Sequence, residues 1–171
     1  MGKTPHPPLL VVADSNVPLD LARGRDVVLD AMMLIREKLR GGKILIPPRV
    51  VREIAYLAEV ADDAETSGAA IRFLRCHREW GCQLVNDVSV GADFVEDVAR
   101  NLRAERLLPA TEVNDSVILV EAAALQASLL LTNDAHLRGI DFLRLKFVME
   151  RFDLTPPAIA TPAEIVKKFL R

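Results

Sequence analysis

Short apolar runs alternate with longer amphipathic stretches along the chain. The first run, residues 9–13, is uniformly apolar and stops at Asp14, a pattern typical of a buried strand that ends at a polar edge. Residues 26–39 then place apolar side chains at helical spacing, and two glycines follow to end the helix. The opening of the chain therefore predicts a strand, a turn at residues 15–18 and a helix.

The same periodicities continue along the rest of the chain. Pro47 and Pro48 open a helix, because proline is tolerated in a helical first turn, and Thr161 and Glu164 have the spacing of a capping box. We predict strands at residues 9–13, 43–46, 82–85, 128–131 and 146–149, and helices at residues 26–39, 49–60, 64–80, 90–107, 113–127, 134–139 and from 161 onward. This alternation predicts a three-layer α/β/α sandwich around a central, mainly parallel sheet of about five strands.

Length and composition indicate one packed unit. The 171 residues suit a single domain, 1–171, in which residues 1–8 are predicted to form a flexible tail. Half of the residues are hydrophobic and 27% are charged, which is typical of a globular rather than a disordered protein. Cys76 and Cys82 have no partners that would complete a zinc site, so we interpret them as free thiols. Neither a signal peptide nor a membrane span begins the sequence, which predicts a cytoplasmic protein without a membrane partner.

Charge is distributed unevenly. The net charge of −2 provides no overall attraction to nucleic acid. Residues 20–55 nevertheless carry eight basic side chains against five acidic ones, whereas residues 86–121 are strongly acidic. The basic stretch is either a local phosphate-facing patch or a solvated helix face, and the second interpretation is the usual one for such residues.

Four acidic residues stand where the predicted fold brings chain segments together. Asp14 follows the first strand directly, and Asp134 follows the fourth strand after two residues. Ligand sites in open α/β sheets lie outside the carboxyl ends of the strands, so these two acids should share one edge. Glu53 and Asp115 lie near the starts of predicted helices close to that edge. We therefore expect four carboxylates to converge.

Converging carboxylates repel one another unless protons or a cation compensate their charge. Mg²⁺ and Mn²⁺ are the natural cations, because they prefer oxygen ligands and commonly bind one or two carboxylates together with substrate phosphate. One such ion lowers the pKa of a bound water, and a second ion about 4 Å away steadies the leaving oxygen. The pattern predicts a site for one or two of these ions.

Each of these residues also has a structural interpretation. Asp14 and Asp134 are suited to helix N-cap or turn bonds, while Glu53 and Asp115 are suited to a helical first turn, where the helix dipole favours acids. Four acids arranged in this order make the structural interpretation less attractive for the set than for any member. Other residues with two interpretations are Arg49 and Arg52, which either contact substrate phosphate or face solvent, and His136, which is interpreted as a lone histidine.

Four segments resemble the PIN domain family, whose members include the toxin nucleases of toxin/antitoxin pairs and several RNA-processing nucleases. Residues 11–17 resemble its opening strand with a metal-binding Asp, and residues 47–54 resemble the segment with its Glu. Residues 113–118 and 130–137 are similar to the segments that bring the third and fourth acids. The resemblance spans residues 9–169, including a similar ending at residues 161–164, although the chain is longer than the compact toxins and carries an inserted-looking segment at residues 61–78.

The resemblance implies a metal-dependent ribonuclease with RNA as its substrate, in which Asp14, Glu53, Asp115 and Asp134 share the ions. It also implies supporting or phosphate-contacting roles for a set of neighbouring polar residues: Ser15, Asn16, Asn114, Thr132 and Asn133. In the toxin branch it implies a protein antitoxin that covers the acidic cavity, and a homodimer.

Two rival functions remain beside this one. A PIN-like scaffold that binds RNA or another partner without cutting would share the fold, and retention of all four acids argues against it. A phosphoryl-transfer enzyme would use Asp14 as a nucleophile, but Asn16 occupies the position where such folds usually carry a second Asp.

Overall fold

The computed structural model describes residues 9–39 and 42–170 of the chain. The strands within them are β1 (Leu10–Ala13), β2 (Lys43–Ile46), β3 (Cys82–Leu84), β4 (Leu129–Leu131) and β5 (Ala158–Ala160). The helices are α1 (Asn16–Ala22), α2 (Asp26–Lys38), α3 (Pro48–Val60), α4 (Ala64–Cys76), α5 (Ala92–Ala104), α6 (Val113–Ala124), α7 (Ala135–Arg138), α8 (Phe142–Glu150) and α9 (Pro162–Phe169). The predicted tail at residues 1–8 lies outside the described residues.

All five strands pair in parallel, in the order β3-β2-β1-β4-β5. The chain moves outward from β1 to β2 and β3, and then returns to form β4 and β5 on the other side of β1. Strand order therefore reverses between β1 and β4, which is where ligand sites lie in sheets of this kind. Helices flank the sheet as outer layers, so the predicted three-layer α/β/α arrangement is confirmed.

The core lies between the sheet and its helices. Val11, Val12 and Ala13 of β1 are fully buried, as expected for a central parallel strand covered on both faces. Helix α6 is buried over most of its length, from Ser116 to Ala123, which explains its valine-rich and alanine-rich sequence. Within the described residues, no helix combines the length and the apolar character that crossing a membrane requires.

The predicted fifth strand at residues 146–149 is wrong. These residues lie in α8, whose buried side chains Leu145, Val148 and Met149 have helical spacing. The Asp141 carboxylate caps this helix by accepting hydrogen bonds from the backbone N–H groups of Leu143 and Arg144. The true fifth strand is the three-residue β5, which is too short to show a period.

The predicted turn at residues 15–18 is also wrong, because α1 begins at Asn16. Pro18 lies in the first turn of α1, where proline is tolerated because the backbone N–H groups have no partner within the helix. The other predicted elements are present, β2 with the predicted bounds and the rest with shifted ends. The segment at residues 61–78 contains α4, which packs against α1 and α3.

Candidate active site

The two acids that follow strands lie at the same edge of the sheet. β1 and β4 are neighbours in register, with Ala13 opposite Leu131, and the backbone N–H of Asp14 continues the ladder to the Leu131 carbonyl at 3.0 Å. Asp134 follows β4 after Thr132 and Asn133. Both carboxylates therefore stand at the carboxyl ends of adjacent strands, at the point where strand order reverses.

Asp14 is a buried carboxylate held by several donors. The residue is only 2% exposed to solvent. Oδ1 accepts from the Ser15 backbone N–H at 2.6 Å, while Oδ2 accepts from Asn16 Nδ2 and from the Thr132 hydroxyl, both at 2.6 Å. Burial raises the pKa of Asp14, these donors lower it in part, and the charge of Asp134 raises it further.

A hydrogen-bond network joins the segments that follow β1 and β4. The Thr132 hydroxyl, which donates to Asp14, also accepts from the Asp134 backbone N–H at 2.9 Å. Asn16 Oδ1 accepts from the Asn133 backbone N–H at 3.0 Å. Among the predicted supporting residues, Ser15, Asn16, Thr132 and Asn133 therefore meet around Asp14, whereas Asn114 is exposed on the first turn of α6.

Asp134 has the structural role that the sequence left open. Its Oδ1 accepts from the Leu137 backbone N–H at 2.9 Å and caps α7. This bond does not neutralise the carboxylate, because its charge raises the pKa values of both Asp14 and Asp115. One side chain therefore caps a helix and contributes negative charge to the edge of the sheet.

Glu53 and Asp115 approach the same edge from helices, and both are half-buried. Burial and then the charge of Asp14 raise the pKa of Glu53, while the Ser15 hydroxyl and Arg49 lower it. Burial, Asp134 and Asp14, in that order, raise the pKa of Asp115 to about 7, with a further contribution from Glu112. Asp115 does lie in the first turn of α6, but α3 has no acid in its first turn, so the dipole interpretation fails for Glu53.

The donor set can be compared with what a divalent ion requires. Among residues 9–39 and 42–170, no three Asp, Glu, His or Cys side chains are arranged to hold a metal ion. Mg²⁺, however, commonly binds through one or two carboxylates and completes its shell with water and substrate phosphate. The oxygen-only chemistry and the mutual repulsion of the four acids fit such an ion, although they do not form a protein cage around one.

The two arginines predicted to contact phosphate have acidic partners. Arg49 Nη2 lies 2.6 Å from Glu96 Oε1, and Arg52 Nη2 lies 3.8 Å from Glu121 Oε1. Arg49 also affects the Glu53 carboxyl electrostatically, so it stands near the acidic edge. Contact with substrate phosphate stays a prediction for both residues.

Glu112 was not among the predicted site residues, and His136, which was interpreted as a lone histidine, lies beside it. Glu112, immediately before α6, raises the pKa of Asp115, and His136 Nε2 lies 4.0 Å from Glu112 Oε1. The spacing of Glu112 and Asp115, one helical turn apart, was a usable signal for the first contact. The second contact needs the turn that places α7 opposite α6, which no local pattern indicates.

Comparisons with known proteins support the fold. The chain matches no protein-family model and no curated protein. It is structurally similar to a chain in the crystal structure of VapBC2 from Rickettsia felis. That structure is bound to a DNA fragment from the VapBC2 promoter. The TM-score is 0.58 at 14% sequence identity, and the match covers 90% of this chain and 98% of the other. At this identity the similarity establishes a shared, PIN-like fold.

Proposed function

We propose that this protein is a metal-dependent endoribonuclease that hydrolyses RNA phosphodiester bonds with Asp14, Glu53, Asp115 and Asp134. The proposal is supported by Asp14 and Asp134 at the point where strand order reverses, and by Glu53 and Asp115, whose carboxyls interact electrostatically with that pair. Each acid lies close enough to another to influence a pKa in the set, and such a concentration of like charge favours cation binding. RNA as the substrate follows from the resemblance of the four segments to PIN nucleases.

The residues divide the proposed work between them. Asp14 is held rigidly by Ser15, Asn16 and Thr132, so it would present a fixed carboxylate to Mg²⁺ or Mn²⁺. Asp134, whose Oδ1 caps α7, would use Oδ2, and Glu53 and Asp115 would close the site from the two helices. When bound, a divalent ion supplies Lewis-acid activation of water and charge compensation for the phosphate.

We extend the proposal to a protein partner. A similar solved structure is that of VapBC2 bound to a DNA fragment from their promoter. By the resemblance of its segments to the PIN-domain toxins, the chain would act as the toxin of a toxin/antitoxin pair, with an antitoxin protein covering its acidic edge and a second copy forming a homodimer.

Cleavage assays test the catalytic proposal directly. Purified protein is incubated with labelled structured and unstructured RNAs in Mn²⁺, in Mg²⁺ and in chelator, beside Asp14→Asn and the control Asp30→Asn, whose side chain is exposed on α2. We expect cleavage that requires metal, is abolished in Asp14→Asn and persists in the control. A folded parent protein that cuts none of the RNAs in either metal would contradict the proposal.

One observation favours a second candidate, a PIN-like module that binds RNA or another partner without cutting. The described residues contain no three-ligand arrangement, and hydrogen bonds already engage both Asp14 oxygens. This candidate predicts RNA binding that is indifferent to Mn²⁺ and to Asp14→Asn. A filter-binding assay with and without Mn²⁺ therefore separates the two functions.

A further inference from the structure

A second buried carboxylate lies outside the acidic edge. Glu121, on α6, is 3% exposed. Its Oε2 accepts a hydrogen bond from the backbone N–H of Arg49 at 2.9 Å. Its Oε1 lies 3.8 Å from the guanidinium of Arg52, which is itself largely exposed. Burying a carboxylate costs free energy unless hydrogen-bond donors satisfy it. The role of Glu121 must therefore lie in the contacts that it makes.

Glu121 supplies a hydrogen-bond acceptor to the start of α3, which has no capping side chain of its own. The first N–H groups of a helix have no partner within it, and the N-cap residue here is Pro47, whose side chain makes no capping bond. Arg49, the second residue of α3, instead donates to a carboxylate that belongs to another helix. The negative charge also complements the positive end of the α3 dipole.

This bond connects two helices that carry acids of the proposed site. Arg49 and Glu53 are four residues apart on α3, so they lie on the same helical face. Asp115 and Glu121 both belong to α6. A bond from Glu121 to the Arg49 N–H therefore fixes the start of α3, and with it the direction of Glu53, relative to the helix that carries Asp115.

Two further sets of contacts hold the start of α3 against its neighbours. The Arg49 side chain binds Glu96 of α5 at 2.6 Å, so the start of α3 contacts α5 as well as α6. Val50 and Ile54, on the buried side of α3, are fully inaccessible and pack in the core. The hydrogen bond to Glu121 is therefore a polar contact at the start of a helix whose apolar side is already packed in the core.

We propose that Glu121 is a positioning residue, which holds α3 against α6 so that Glu53 and Asp115 face the same ion. The inference rests on the proposed function, because it assigns Glu121 a task at that site. Glu121 does not touch the reacting atoms. It acts through the Arg49 backbone and through the helix that carries Glu53.

The test compares the parent protein with Glu121→Ala, Glu121→Gln and Glu164→Ala. Glu164 accepts a backbone N–H at the start of α9, at 2.7 Å, and provides a matched loss of a capping carboxylate. The readouts are Mn²⁺ affinity by electron paramagnetic resonance, and kcat and KM for RNA cleavage. Hydrogen exchange of the amides at residues 49–53 reports on the helix start independently of activity.

We expect Glu121→Ala to weaken Mn²⁺ binding and lower kcat by about 10–100-fold, as for other groups that orient metal ligands, while KM for RNA changes little. Glu121→Gln should restore both values to within about threefold, because its amide oxygen also accepts the Arg49 N–H. Exchange at residues 49–53 should accelerate in the alanine variant alone. Glu164→Ala should keep the parent's Mn²⁺ affinity.

Parent-level Mn²⁺ affinity and kcat in a folded Glu121→Ala protein would overturn this inference alone. Absence of Mn²⁺ binding and cleavage in the parent protein would overturn the proposed function, and the positioning role with it. If the alanine variant does not fold, Glu121→Asp replaces it. The aspartate keeps the charge but is one methylene too short for the bond, so it should show the same loss of Mn²⁺ affinity, and parent-level affinity there would overturn the inference.

Discussion

Carboxylates at the edge of the sheet and carboxylates at the starts of α4 and α9 have pKa values shifted in opposite directions. Burial and like charges raise the pKa values of Asp14, Glu53 and Asp115. Backbone N–H groups lower the pKa values of Asp63, which caps α4, and of Glu164, which completes the capping box of α9. The same chemical group therefore stabilises the fold in one region and opposes it in the other.

The difference lies in what compensates the charge. Asp63 and Glu164 are largely exposed and receive backbone N–H donors, and a nearby arginine, Arg23 for Asp63 and Arg138 for Glu164, favours ionisation further. The acids at the sheet edge are desolvated by burial and repel one another, and the hydrogen-bond donors around Asp14 offset the rise in its pKa only in part. Carboxylates with perturbed pKa values cluster at functional sites, so the sheet edge is the candidate site of this protein.

The largest expected effect follows from removing a charge at the edge while keeping the bond that it makes. Asp134→Asn leaves an oxygen to accept the Leu137 N–H, so α7 keeps its cap. We expect RNA cleavage to fall by at least about 100-fold, because a proposed ligand should matter at least as much as the groups that orient it. Single-turnover cleavage in Mn²⁺ measures the loss.

The control for this substitution is Asp141→Asn, since Asp141 caps α8 in the same way but lies outside the acidic set. It should cleave RNA like the parent protein. Equal losses of RNA cleavage in the two variants would show that helix capping, rather than charge at the sheet edge, explains the effect. That result would contradict the distinction between the acids at the sheet edge and the acids that cap helices.

The next largest effect is expected from removing a hydrogen-bond donor to the buried Asp14 carboxylate. Thr132→Val preserves shape but leaves the Asp14 carboxylate without its buried hydroxyl donor and the Asp134 N–H without its acceptor. We expect stability to fall by about 1–3 kcal/mol, measured by urea unfolding. Thr132→Ser keeps the hydroxyl and should recover most of that stability, so an equal loss in both variants would contradict this explanation.

A smaller and opposite effect is expected at Asp115. Its pKa of about 7 in the folded protein exceeds its ordinary value of 3.8. The unfolded chain therefore releases this proton first as pH rises, and stability falls between those two values and stays low above them. Because the side chain is partly exposed, Asp115→Asn should gain only about 1 kcal/mol at pH 8, or roughly 2–4 °C in Tm, without metal. Thermal unfolding at pH 8 and near pH 4 should show the gain only at the higher pH.

Glu164 should behave in the reverse sense. Its pKa is lowered from 4.5, chiefly by the Thr161 backbone N–H, so it contributes stability above that value and loses the contribution as pH falls through the folded pKa. Glu164→Ala should cost about 1 kcal/mol at neutral pH, and the cost should shrink in acid. Thermal unfolding across the same pH range as for Asp115→Asn should yield difference curves of opposite slope, and parallel curves would contradict the comparison.

Periodicity was sufficient to predict most of the architecture. The strands beside the site were found because each is a buried apolar run, and the capping box at Thr161 was found because its spacing is local. β5 was missed because three residues show no period, and α1 because it is only seven residues long and has a proline in its first turn. The missed elements are therefore those whose local sequence is too short to show a period.

The residues of the site likewise divide into those that the sequence predicted and those that it did not. Asp14 and Asp134 were predictable because each follows a strand, and the structure places both at one edge. Glu121 and the contact of His136 with Glu112 were not predictable, since each depends on which helices meet in space. An acid inside a buried helix gives no sign in the sequence that its partner is a backbone N–H on α3.

The most direct test of the central claim is calorimetric titration of the folded parent protein with Mn²⁺ at neutral pH, beside Asp14→Asn. The four proposed ligands predict saturable binding to the parent protein, with proton release on binding from Asp115, whose pKa is raised to about 7 by burial and then by Asp134 and Asp14. They also predict that Asp14→Asn loses this binding while remaining folded. A folded parent protein that takes up no Mn²⁺, or an Asp14→Asn variant that binds it equally well, would contradict the account.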